Sequence, residues 1–135
     1  VAFVQFRAFL LNGGFVLARH VGLEFVAPRE VAGREVRRRM RANGETHYTQ
    51  QPGRFRFFRY HPMPIFPSQE VYAASVWIGV HGNNLATIQG GAALEWIVYA
   101  DDAEPHGGRR ELVSFGIVQE AMRWVRQQSK ARSSG

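Results

Sequence analysis

This sequence predicts an α+β domain: a twisted antiparallel sheet of five to seven strands with one inserted helix and one C-terminal helix packed on it. Three observations lead there. Strand-like apolar runs separated by Gly, Asn and Pro turns recur over the first hundred residues, an Arg-rich helical period interrupts them after Pro28, and a broad helical period ends the chain. Successive strands with short links pair antiparallel, and each helix needs a sheet face against which to bury its apolar stripe. At 135 residues, 45% hydrophobic and 21% charged, the chain has material for one core. One domain is expected over residues 1–128, followed by a flexible basic tail, Ser129–Gly135. The first residue is Val1, which fits either ordinary removal of the initiator or a piece of a longer chain.

The elements follow in order. Asn12-Gly13 suits a tight turn with positive φ, so Ala2–Leu11 and Gly14–Val26 read as the arms of an opening hairpin. Pro28 starts a helix, Arg29–Ala42, which Asn43-Gly44 stops, with Arg39 and Arg41 in the last turns where the dipole favours cations. Ala32, Val36 and Met40 are its apolar line. Glu45–Gly53 is a polar loop or weak strand. The next strand, from Arg54 to Tyr60, places Arg54, Arg56, Phe58 and Tyr60 on one face and Phe55, Phe57 and Arg59 on the other. Three prolines between His61 and Pro67 make that stretch a stiff crossing loop. Val71–Val80, Leu85–Gln89 and Ala92–Ala100 read as strands of a meander. Val76, Ile78 and Val80 face the core, Trp77 is exposed and Trp96 is buried. A hydrophilic loop, Ala100–Gly108, leads to the last helix, Arg110–Gln128, whose apolar face runs through Leu112, Phe115, Val118, Met122 and Val125.

Composition narrows the chemistry. Lys plus Arg number 17 against 11 Asp plus Glu, a net charge of +6, and all but one of the basic residues are arginine. Such a surface attracts nucleic acid, an anionic membrane or an acidic protein, although arginine in place of lysine also fits a GC-rich gene. The absence of cysteine excludes disulfides, thiolate metal sites and cysteine nucleophiles. No apolar run has the length of a membrane-spanning helix. A cytoplasmic location, or one inside a larger particle, is expected, and an extracellular one is also compatible.

The leading functional reading is a non-enzymatic nucleic-acid-binding module for RNA or single-stranded DNA. Arg54 and Arg56 would meet phosphates while Phe58 and Tyr60 stack on bases. Arg34, Arg37, Arg38 and Arg41 would lie on the backbone from the helix, and Trp77 is a further contact. Each has an ordinary counterpart: aromatic residues are common strand formers, and Glu30–Arg34 and Glu35–Arg39 at i,i+4 describe a solvated helix face. The alternative is a structural or assembly subunit of a ribonucleoprotein or viral particle, with the apolar opening segment pairing with another copy. A pocket enzyme or small-molecule carrier ranks third. No nucleophile elbow, phosphate loop or zinc-like histidine spacing occurs, so no catalytic residue and no cofactor is assigned. The one metal-like grouping is Asp101, Asp102, Glu104 and His106, oxygen-rich enough for magnesium or manganese but equally an exposed acidic turn. The letters Tyr99-Ala100-Asp101-Asp102 also occur in templated polymerases; the chain lacks room for such an enzyme, and no role is transferred.

Overall fold

Among the described residues, seven antiparallel strands form two sheets instead of one. The computed structural model describes residues 1–42, 46–101 and 103–134. In chain order the elements are β1 (Ala2–Leu11), β2 (Val21–Pro28), α1 (Arg34–Ala42), β3 (Thr46–Gln51), β4 (Arg54–His61), β5 (Glu70–Val80), α2 (Leu85–Gln89), β6 (Ala93–Tyr99), β7 (His106–Glu111) and α3 (Gly116–Ser134). Single 3-10 turns at Arg29–Val31 and Leu112–Ser114 precede α1 and α3. The larger sheet has the order β3-β4-β2-β6-β7; the smaller is a ribbon of β1 and β5. The α+β class with antiparallel strands and packed helices therefore stands, while the single sheet of five to seven strands does not.

The expected opening hairpin is absent. β1 pairs with β5, from Ala2 opposite Val80 to Leu11 opposite Glu70, with an irregularity between Ala8 and Phe9. β2 is instead the centre of the large sheet, flanked by β4 and β6. The reason lies in β2, whose residues Val21–Ala27 are all buried: a strand buried on both faces is satisfied only in a sheet interior. Asn12 fixes the connection in another way. Its Oδ1 accepts from the Gly14 amide at 3.0 Å, and its Nδ2 donates to the Val16 and Ile65 carbonyls, each at 2.8 Å. The proline-rich stretch accordingly crosses the molecule, touching the loop through an isolated bridge between Ala18 and Ile65.

Further expectations are corrected as well. Leu85–Gln89 is the short helix α2, because the buried Asn84 side chain turns the chain, donating to the Glu30 and Gly79 carbonyls (2.9 and 2.8 Å) and accepting from the His81 amide (3.0 Å). Residues 106–111 form β7 where a loop and helix start were expected, so the last helix begins at Gly116 instead of Arg110. It continues to Ser134, past Gln128, since Lys130, Ala131 and Arg132 are good helix formers with no Gly or Pro among them. The inserted helix is broken in two, a 3-10 turn and then α1, and the stretch expected as loop or weak strand contains β3. Asn43-Gly44, its expected stop, lies outside the described residues.

Alternation defines the two faces of the large sheet. Leu23, Phe25, Ala27, Phe55, Phe57 and Leu94 face inward and join Val36 and Met40 of α1, Val76, Ile78 and Val80 of β5, and Val118, Met122 and Val125 of α3 in one core. Trp96 also faces in, half-buried, with its ring across Gly108, where an added Cβ would come within 2.4 Å of it. Both long helices thus send their buried side chains to the inner face. The outer face carries the opposite alternation.

Candidate functional site

The outer face is built from β4, β2, β6 and β7. Phe58 lies opposite Glu24, which lies opposite Ile97, so the carboxylate sits between two apolar side chains and retains only 6% exposure. A buried charge requires a partner and hydrogen bonds, and two diagonal neighbours provide them. Arg56 Nη1 donates to Glu24 Oε1 at 2.5 Å, and the Tyr99 hydroxyl donates to Oε2 at 2.7 Å. That second bond, together with burial and the charge of Glu24, raises the Tyr99 pKa above its ordinary value. Arg56 Nε is buried and unpaired among the described residues.

Phe58 depends on a glycine. Its ring lies across Gly22, and a Cβ there would approach ring carbons to 2.8 and 2.9 Å. The ring is backed by bare main chain and still 37% exposed, with Tyr60 beyond it at 47%. Arg54 is exposed at one end of β4. Arg109, on the same face opposite Glu95, is exposed and donates to the Gly91 carbonyl at 3.3 Å. The four residues expected together on β4, Arg54, Arg56, Phe58 and Tyr60, do share a face by register. Arg56 differs from the other three in being committed to Glu24.

The arginines of α1 lie elsewhere. Arg37 stacks its guanidinium 4.6 Å from the centre of the Phe55 ring, and Phe55 points inward, so α1 and the Arg54–Tyr60 alternation occupy opposite sides of the sheet. Arg34, Arg37, Arg38 and Arg41 line a cleft of about 390 Å³. Within the helix Glu35 accepts from Arg38 (2.9 and 2.6 Å) and Arg39 (3.3 Å). The Arg38 contact is the main cause of a Glu35 pKa lowered to about 2 and of a raised Arg38 pKa. Trp77 is half-buried instead of exposed; Arg39 covers its ring at 4.8 Å, and its backbone amide donates to Met40 Sδ at 3.3 Å.

The metal-like grouping does not assemble among the described residues. Asp101 pairs with His20, Glu104 and His106 are exposed, and Asp102 lies outside the described residues. No group of three or more His, Asp or Glu side chains that could hold a metal occurs among them, nor is any described helix long and apolar enough to cross a membrane. Four participants of the outer face, Gly22, Glu24, Tyr99 and Arg109, were not singled out from sequence. The Glu in the apolar run of β2 was the available signal, because a lone carboxylate inside a buried strand demands a cation. Compared with family models, curated proteins and solved structures, the chain matches none.

Proposed function

We propose that the outer face of the large sheet binds single-stranded nucleic acid, RNA or DNA, without catalysing a reaction. The observation that carries this reading is Phe58, a partly exposed ring held on the bare backbone of Gly22 with Tyr60 two residues further along the strand. Side chains at i and i+2 stand about 6.7 Å apart on one face, which suits successive unstacked bases, and base–aromatic stacking tolerates any sequence. Arg54 and Arg109 at the rim supply phosphate contacts, and the net charge of +6 favours a polyanion. Arg56 has a different role here: it neutralises the buried Glu24. The arginines of α1 belong to the other side and are not part of this surface.

The test is fluorescence anisotropy of a short labelled oligonucleotide titrated at several salt concentrations. Phe58→Ala is expected to cost about 1–3 kcal/mol of binding, and Arg54→Gln to reduce the slope of log K against log salt by about 0.7. An acidic protein partner would instead give no oligonucleotide binding by the wild type at low salt, and that result sinks the proposal.

One observation favours the assembly reading as a second role. Phe15 is fully exposed, and Val16, Leu11, Met63 and Phe66 are all more than 60% exposed, at the end of β1 and in the loops that the Asn12 bonds and the Ala18–Ile65 bridge draw to that end of the ribbon. Contiguous exposed apolar residues mark protein contacts. Sedimentation over a wide concentration range is expected to show association that Phe15→Ser weakens; a persistent monomer argues against it. Residence in the cytoplasm or in a larger particle fits either role.

A further inference from the structure

A slot runs between the two sheets. Its volume is about 510 Å³, within the roughly 300–1,000 Å³ of small-molecule sites. One wall is β1 from Phe6 to Leu10; the other is β6 from Leu94 to Val98. Each wall covers four residue steps, about 13 Å of strand, so the slot is elongated. At one end Phe6 meets Phe115 with ring centres 4.7 Å apart. Arg110 stands there too: it lies opposite Leu94 and therefore faces inward, and its guanidinium stacks 3.9 Å from the centre of the Phe115 ring.

Arg110 is organised but not neutralised. Its Nε and Nη2 donate to the Ser114 hydroxyl and carbonyl at 3.0 and 3.1 Å, and it makes no ion pair with a carboxylate among the described residues. Two donors of five are used, leaving the Nη1 side of the fork for an anion. No Asp or Glu among the described residues lines the slot. Two arginines line it: Arg7 alternates along β1 with Phe6 and Ala8, which pack on the core, and Arg110 stands at the Phe115 end. An elongated, largely apolar channel with the unneutralised Arg110 at its mouth is complementary to a linear apolar chain ending in an anion.

We propose that this slot binds a medium-chain alkyl carboxylate, the head on Arg110 and the chain running along Trp96 toward Leu10 and Val98. The site is separate from the outer face, since Trp96 and Arg110 point to the inner side. Decanoate is the probe and decanol, the same chain without the charge, its comparison. Calorimetry on the wild type is expected to give saturable one-to-one decanoate binding, about tenfold tighter than decanol, in line with a charge-assisted hydrogen bond to the exposed Arg110 at the slot's mouth. Decanoate should also change tryptophan emission, a response lost in Trp96→Phe. Arg110→Gln is expected to abolish the preference for decanoate while decanol still binds, and Arg110→Lys to restore part of it. Absence of saturable decanoate binding by the wild type overturns the proposal, as does equal affinity for decanoate and decanol. Those two wild-type outcomes decide the matter even if the variants fold poorly.

Discussion

Glu24 shows how a single residue constrains a whole surface. In a sheet face that no long helix covers, a carboxylate would ordinarily hydrate. Here Phe58 and Ile97 flank it, and Arg56 and Tyr99 replace the lost water. The Tyr99 hydroxyl donates only while protonated, and its pKa is raised, so the folded state holds that proton more tightly than the unfolded chain does. Its contribution is therefore complete below the unfolded value near 10 and is lost as pH rises beyond it. Urea unfolding between pH 9 and 11 is expected to show a steeper loss of stability in the wild type than in Tyr99→Phe. Parallel curves would mean that the hydroxyl does not titrate against Glu24.

At the scale of elements, side chains that act over long sequence distances decide what local pattern leaves open. Asn84, 1% exposed, joins the Glu30 carbonyl to the end of β5 and turns the chain into α2. Asn84→Ala strands the Glu30 and Gly79 carbonyls and the His81 amide, and it is expected to cost about 2–3 kcal/mol in chemical denaturation; a loss below half of that would show that water replaces the amide. The same residue explains why α2 reads as a strand in sequence: Leu85–Gln89 is too short for a helical period to separate from an alternating one. β7 is hidden for a related reason. His106–Glu111 contains two glycines and no β-branched residue, and it becomes a strand only because β6 pairs with it and Trp96 fills the space over Gly108. Alternation in Arg54–Tyr60 was legible, since an uninterrupted run of Arg and aromatic residues leaves one workable division between core and surface. The pairing of β1 with β5 was not, because Asn12-Gly13 is a strong local turn signal overruled by the burial of both faces of β2.

Taken as a whole molecule, the excess positive charge divides between two sides of the large sheet. Arg37 of α1 stacks on the inward ring of Phe55, while Arg54 and Arg109 lie on the face of Phe58. An oligonucleotide short enough to occupy only the outer face cannot also reach the α1 cleft, so the two arginine groups must differ in their effect on binding. Each phosphate neutralised in a single strand contributes about 0.7 to the slope of log K against log salt. Replacing Arg54 and Arg109 together by glutamine is expected to reduce that slope by about 1.4, and replacing Arg34 and Arg41 to leave it within error, because the general field of a distant pair is screened over a Debye length of about 8 Å at physiological salt. Phe58→Ala, which removes no charge, should lower affinity at every salt concentration and leave the slope alone. The reverse pattern, in which Arg34→Gln with Arg41→Gln flattens the slope while Arg54→Gln with Arg109→Gln does not, would transfer the polyanion to the helix side and leave the outer aromatic face without a role in nucleic-acid binding.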